Sequence, residues 1–240
     1  TDTRLVYAQD QMRFGRHDLL LAAAHTRHET FGDHATWNLE YGRALGERWR
    51  VTLATGTAFH APDSTDRFGY GGNPALAPEQ SRQVEAGLRW QPTAGQQLGL
   101  NVFDMRIDDL ILFQLADPAS FTYRNENVER ARIRGVEAGY EMRVAAWLLQ
   151  ANATLQRPRN DSSGEPLLRR ARQHYSLRVQ YLAGALAAAT EVAYSGARYD
   201  SAFPALVRLP GYSLVNLSVE YHLTPDWTAL ARIDNALDRS

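Results

Sequence analysis

The 240-residue chain has neither cysteine nor lysine. Without cysteine there is no disulfide framework, no thiolate nucleophile and no Cys-ligated zinc. Without lysine, all 26 basic residues are arginine, and 27 acidic residues bring the formal net charge to −1. That balance excludes the strongly basic footprint of a nucleic-acid binder. Long apolar runs are missing too. Uncharged stretches such as Val144 to Gln156 and Val179 to Thr190 fall short of the roughly 18 apolar residues a spanning helix needs. No G-x-S-x-G elbow, HExxH run or other nucleophile-and-base arrangement occurs, so no enzyme is expected. Thr1 follows no leader-like segment and already stands in strand-like sequence, so the chain reads as an interior piece of a longer protein.

What the sequence does have is a period of two. Val136, Ala138, Tyr140, Met142 and Val144 alternate with Gly135, Glu137, Gly139, Glu141 and Arg143. Trp147 to Gln156 and Val215 to Leu223 repeat the pattern, with weaker copies over 49–59, 84–90, 175–181 and 186–194. Side chains of a strand point alternately to opposite faces, so each segment has one apolar and one polar face. About twelve strands of roughly 10–13 residues are expected, the length of a tilted membrane-spanning strand. Short connectors around Gly15, Gly46, Gly95, Ala145, Gly184 and Pro225 alternate with long ones over about 61–79, 108–122, 158–167 and 198–210. The pattern predicts an all-β, antiparallel up-and-down transmembrane barrel with tight turns on one rim and long loops on the other.

The aromatic residues agree with it. Trp49, Trp147 and Trp227 each open a strand after a short turn, and Trp90 and Tyr181 each close one before a short turn. All five belong at one height on the apolar face, as in the girdle that amphipathic rings form at a membrane interface. The alternative is a soluble sandwich with a tryptophan core, which has no need of strands this long and regular with polar faces so rich in Glu, Arg and Gln. On those polar faces stand Glu85, Arg89, Glu137, Glu141, Arg143, Arg178, Glu191 and Glu220, expected in a hydrated lumen where they pair with one another or with a plug.

One long loop runs F-x-A-P from Phe59 and G-N-P-x-L-x-P-E from Gly72, then Ser81 and Glu85 enter the next strand. Together with the ending Ala231 to Asp238, this resembles the signature of TonB-dependent outer-membrane receptors. Within that family the chain is similar to cobalamin receptors in four segments: Phe31 to Trp37, Ala131 to Ala138, P-L-L-R-R-A from Pro166 and S-G-A-R-Y-D from Ser195. The third and fourth separate subfamilies best. The resemblance implies a 22-stranded barrel with a plug domain, residues 1–240 supplying one part of it, about twelve strands of the C-terminal half without the last strand or the plug. It implies uptake of cobalamin or a related corrinoid across the outer membrane of a Gram-negative bacterium. The partners would be the corrinoid, outer-membrane lipid and, through the absent plug, the TonB complex; no nucleic acid and no cofactor or metal within this chain are expected. Receptors for ferric siderophore or haem, and a passive or structural barrel, are the alternatives. A haem receptor would offer an axial histidine, for which only His60 stands in a loop.

The same resemblance nominates three ligand-binding residues. Arg169 matches an arginine that reaches the corrinoid, or else belongs to a charge network at the rim. Phe203 stands where such receptors have a ligand-contacting tyrosine, so the hydroxyl is lost and a flat apolar surface is kept. Trp37 either lines the mouth of the same cavity or joins the outer interfacial belt. Other constellations have plainer readings. His25, His28 and Glu29 mimic a metal spacing, but positions 25 and 28 of a strand face opposite ways. Asp108 and Asp109 read as a strand-end loop, and Asn160 to Glu165 as a solvated turn without the alternating acids of a calcium loop.

Overall fold

The computed structural model describes residues 2–117, 119–202 and 205–239. Twelve strands form a single antiparallel sheet: β1 (Thr3–Phe14), β2 (His17–His28), β3 (Gly32–Leu45), β4 (Trp49–His60), β5 (Glu79–Thr93), β6 (Gln96–Asp117), β7 (Thr122–Val144), β8 (Trp147–Asn160), β9 (Gln173–Ala183), β10 (Leu186–Ser195), β13 (Tyr212–Thr224) and β14 (Trp227–Ile233). Each pairs with its neighbours in sequence, and β1 and β14 are the two edges of this part of the barrel. Between β10 and β13 the chain forms a separate hairpin of β11 (Arg198–Ala202) and β12 (Ala205–Leu209). A single helical turn, α1 (Ser64–Phe68), lies in the loop between β4 and β5, capped by the Asp63 carboxylate, which accepts from the Asp66 N–H.

Tight turns gather at one rim because the sequence places residues there that tolerate a left-handed backbone. Gly15, Gly46 and Gly184 have φ of 60°, 74° and 56°. The hairpin between β7 and β8 turns instead on Ala145, at φ 50°. There the Cβ crowds the following carbonyl, a cost of about 1–2 kcal/mol that glycine avoids.

The register carries the alternation across the whole sheet. Trp49 stands opposite Trp90 with the rings stacked at 5.3 Å, and Trp147 stands opposite Tyr181 at 4.8 Å. The five girdle aromatics thus lie on one face near the tight-turn rim. The opposite face carries the charges. Arg50 pairs with Asp18 at 2.6 Å, Arg178 with Glu191 at 2.9 Å, and the Asn101 amide donates to Glu85 at 3.2 Å. Pairs as hydrated as these contribute only about 0–1 kcal/mol each.

Two expectations are corrected. Residues 108–122 are not a long loop: β6 and β7 run for 22 and 23 residues and stay paired to Asp117 opposite Thr122. Asp108 and Asp109 therefore lie inside a strand, Asp109 at φ 58°, a kink rather than a strand end. At the tip, the Ser120 hydroxyl and the Ala119 N–H hold the Asp117 carboxyl below its ordinary range. The polar face is not polar throughout either. Toward the long-loop end it gives way to a buried cluster of Ile107, Leu110, Val128, Ala131, Ile133 and Leu167, with Phe103 and Met105 against it. Leu167 comes from the loop after β8 and closes this cluster, which is the chief buried apolar core among the described residues.

Two substitutions test these forces. Ala145→Gly is expected to stabilise the protein in detergent by on the order of 0.5–1 kcal/mol, the left-handed strain less glycine's entropy, read as a higher denaturant midpoint. Leu167→Ala is expected to cost about 2–5 kcal/mol on the same measurement, the range for emptying a buried leucine site.

Candidate ligand-binding site

The loop that follows β8 is tied down at two points. The Leu167 N–H donates to the Pro158 carbonyl at 3.2 Å, and the Gln156 amide donates to the Ala171 carbonyl at 2.9 Å, with both Leu167 and Ala171 buried. Between these anchors the backbone of Arg169 adopts φ 61°, in the left-handed region. The Arg169 N–H donates to the Tyr199 carbonyl at 2.7 Å, and its Nε donates to the Asp200 carboxylate at 3.0 Å. The P-L-L-R-R-A run and the G-A-R-Y-D run, some thirty residues apart in sequence, are thus in direct contact.

Beside this contact lies a concavity of about 330 Å³, lined among others by Arg170, Arg172, Arg208, Tyr194 and Tyr199. Guanidinium groups only donate, and phenols donate or accept. The arrangement suits a ligand rich in acceptor oxygens, such as amide, carboxylate or phosphate. Arg169 itself is more than half exposed while paired, so one face of its guanidinium is open to solvent.

The other nominated residues fall elsewhere. Trp37 stands opposite Ala23 on β2, in step with Leu39 and Tyr41, so it shares the face of Trp49 and Leu53 rather than the charged one. Its ring is nearly half exposed, which fits the outer belt. Phe203 lies outside the described residues. His25 and His28 occupy opposite faces of β2, and the His25 Nε2 lies 3.2 Å from the Asp33 carboxylate. Asn160 ends β8 and holds the turn that follows: its side-chain oxygen accepts from the N–H groups of Ser162 at 2.9 Å and Ser163 at 3.2 Å. His60 ends β4.

The signature loop owes its position to two residues that sequence reading missed. The Asn125 amide donates to the Asp66 carbonyl at 3.1 Å, and the Asn125 N–H donates to the Gly71 carbonyl at 2.7 Å. The Asn127 side chain accepts from the Ala77 N–H at 2.8 Å and donates to the carbonyls of Ala77 at 3.0 Å and Asp109 at 2.7 Å. Glu79 accepts from the Ile111 N–H at 2.7 Å. The G-N-P run is therefore docked on the long extension of β6 and β7. An N-x-N spacing in a strand was the available signal, since it puts two amides on one face.

Below the rim the charged face holds two open concavities of about 510 and 490 Å³. Gly99 stands opposite Gly139, and with Gly87 nearby these positions leave a strip without side chains, flanked by Glu85, Arg89, Glu137 and Arg178. Such a wall has hydrogen-bonding capacity to spare, for water or for another polar segment.

Comparison with known proteins places this geometry. Residues 1–236 match the family described as TonB dependent receptor-like, β-barrel. The vitamin B12 transporter BtuB of Vibrio vulnificus is 30% identical over 211 residues, covering 87% of this chain and 33% of that protein. Among solved structures, the siderophore receptor PirA of Acinetobacter baumannii superposes with a TM-score of 0.82 at 17% identity, covering 99% of this chain and 42% of that one. A mutant of the ferric enterobactin receptor PfeA of Pseudomonas aeruginosa gives 0.81 at 20% identity, covering 99% and 40%. The copper transporter OprC gives 0.78 at 18%, covering 99% and 42%. The chain thus spans about a third of the curated relative it matches and about two fifths of these structures. Its strands, its register and its signature loop have a common source: the chain belongs to the TonB dependent receptor-like β-barrel family.

Proposed function

We propose that this chain is part of an outer-membrane receptor that captures cobalamin or a related corrinoid and imports it with energy from a TonB complex. The observation that carries the reading is the contact of Arg169 with Tyr199 and Asp200. It joins the two sequence runs on which the corrinoid resemblance rests, at the long-loop rim where an external ligand arrives. The similarity to the vitamin B12 transporter supports the same substrate. The solved siderophore and copper receptors, being under 25% identical, speak to the fold alone.

The mechanism is non-covalent. Acceptor oxygens on the corrinoid periphery take hydrogen bonds from Arg169 and its neighbouring arginines, and the flat macrocycle lies against aromatic side chains of the concavity, Tyr194 and Tyr199. A plug domain seated on the polar inner wall then rearranges to release the ligand inward. Its polar surface is held there by hydrated charges such as Glu85, Glu137 and Arg178.

A titration of the full-length receptor with cyanocobalamin, beside haem and a ferric siderophore, tests the substrate. Saturable, preferential binding of cyanocobalamin is expected. Preference for the siderophore or haem overturns it. Arg169→Ala is expected to weaken corrinoid binding by about 1.5–3 kcal/mol, the range for a hydrogen bond from a charged group. It is expected to change folding stability by less than about 1 kcal/mol, because its partner is a solvated carboxylate. Unchanged affinity returns Arg169 to a purely structural pairing with Asp200.

A further inference from the structure

One ladder of the sheet stops before its strands do. β3 stays paired with β2 up to Gly32, and β4 with β5 up to His60, but the ladder between β3 and β4 ends at Asn38 opposite Gly56. Lower down, the Ala44 N–H donates on the β2 side and the Arg48 carbonyl accepts on the β5 side. Backbone groups of successive residues alternate between the two neighbouring strands, so the odd residues of β3 and β4 direct theirs at each other. Above the last pair, Asp33, Ala35, Thr57 and Phe59 therefore point backbone donors and acceptors into a seam that has no ladder. The Trp37 N–H crosses it to a side chain instead, donating to Thr57 Oγ1 at 3.2 Å.

Two contacts between opposite faces show that the wall is parted there. Parity places His34 on the inner face and Phe59 on the outer one, yet their rings stack at 3.7 Å with planes 18° apart. At the foot of the seam lies a cavity of about 330 Å³, lined by Asn38, Ser81, Gln83 and Glu85 of the inner face and by Trp37 and Thr57 of the outer one. A continuous ladder would keep both sets apart, because neighbouring side chains of a paired strand project from opposite sides. Gly56 stands where the strands are last in contact: a Cβ there would lie 2.8 Å from the Trp37 carbonyl oxygen.

The height of the seam sets what can enter it. Gly56 is seven residues beyond Trp49, about 23 Å of strand, or about 18 Å along the membrane normal at a tilt of about 40°. The lipid-facing apolar band is about 25 Å tall, so the seam opens inside the outer leaflet, and Phe59 comes level with the band's upper edge. At such a depth unpaired backbone is tolerated only where protein covers it or where it lines a wet cavity. The cavity here is polar, and Glu85 is the one charged group among its lining residues. We infer that the seam is a lateral entry site for a cationic amphiphile. Its amine headgroup passes between β3 and β4 to the Glu85 carboxylate, and its alkyl chain stays in lipid against the exposed Trp37 and Leu39. The stacked rings of His34 and Phe59 are the seal that the headgroup displaces. The inference rests on the proposed outer-membrane placement and not on the choice of corrinoid.

The test uses the full-length receptor in phosphatidylcholine nanodiscs, with heat-modifiable migration on gels checking that each variant is a folded barrel. Hydrogen exchange read by mass spectrometry is expected to run on the order of tenfold faster over residues 32–37 than over residues 38–45 of the same strand. Equal protection overturns the seam. Dodecylamine carrying a photoreactive diazirine beside its headgroup is expected to label residues 81–85. Dodecyl phosphate with the same diazirine is expected to label them on the order of tenfold less, since a carboxylate attracts one headgroup and repels the other. Glu85→Gln is expected to lower the amine labelling on the order of tenfold, the loss of a charge-assisted hydrogen bond, and Phe59→Ala to speed it by opening the seal. Equal labelling by the phosphate, or an unchanged result from either substitution, overturns the site. Equal labelling by the matching diazirine butylamine, too short to enter lipid, shows access from the aqueous lumen and overturns the lateral route. A wild-type protein that does not fold as a barrel overturns the membrane placement and this site together. A folded barrel without labelling overturns the site alone, and corrinoid binding is read in its own titration.

Discussion

Everything in this structure depends on the backbone ladder between antiparallel neighbours. In hydrocarbon there is no water to take up an unpaired N–H or C=O, so a spanning sheet must satisfy each one across a strand boundary. Once the pairs are fixed, so is the face of every side chain, and a slip of one residue would exchange lipid-facing and inward-facing sets. Trp49 against Trp90 and Trp147 against Tyr181 hold the register where the membrane begins. Those two contacts propagate outward along β4, β5, β8 and β9 and decide, many residues later, that Leu53 meets lipid while Arg178 meets Glu191.

Much of this was legible in the sequence because a period of two needs no tertiary knowledge. The tight turns announced themselves through Gly15, Gly46 and Gly184, and the girdle through aromatics adjoining them. What escaped notice was the extension of β6 and β7. Leu110 to Leu115 and Tyr123 to Val128 lack a clean alternation, since Asp109 kinks the strand and the signature loop docks on the extension through Asn125 and Asn127. A pattern rule built on one wet and one dry face fails where a docked loop makes polar positions partly buried. The loss mattered for the site, because Asn125 and Asn127 sit on this extension and place the signature loop.

The candidate site was legible only through resemblance. Nothing in the spacing of Arg169 and Asp200 says that they touch; their meeting depends on Leu167 and Ala171 being buried on one side and on the β11–β12 hairpin folding back on the other. Trp37 shows the converse. Its sequence segment resembles one of the cobalamin receptors and left it between the cavity mouth and the outer belt, and its parity with Leu39 and Tyr41 sends it to the outer face. A residue cannot be moved across a paired strand to reach a ligand without inverting its neighbours.

Parity also separates the uses of a single residue type. All the positive charge of this protein is arginine, yet its arginines divide by face. On odd and even positions of adjoining strands, Arg178 turns inward to a carboxylate while Arg134 and Arg157 turn outward over an aliphatic row. Between Arg134 and Val136, Gly135 lies so close under the Phe103 ring and the Leu155 carbonyl that an added Cβ would collide with both. The inner cluster can therefore pack tightly against the strand whose outward face carries Arg134 and Val136. One strand thus joins an apolar closure on its inner side to a charged surface on its outer side. The physical reason both coexist is that, in a sheet one residue thick, adjacent positions share a backbone and no environment.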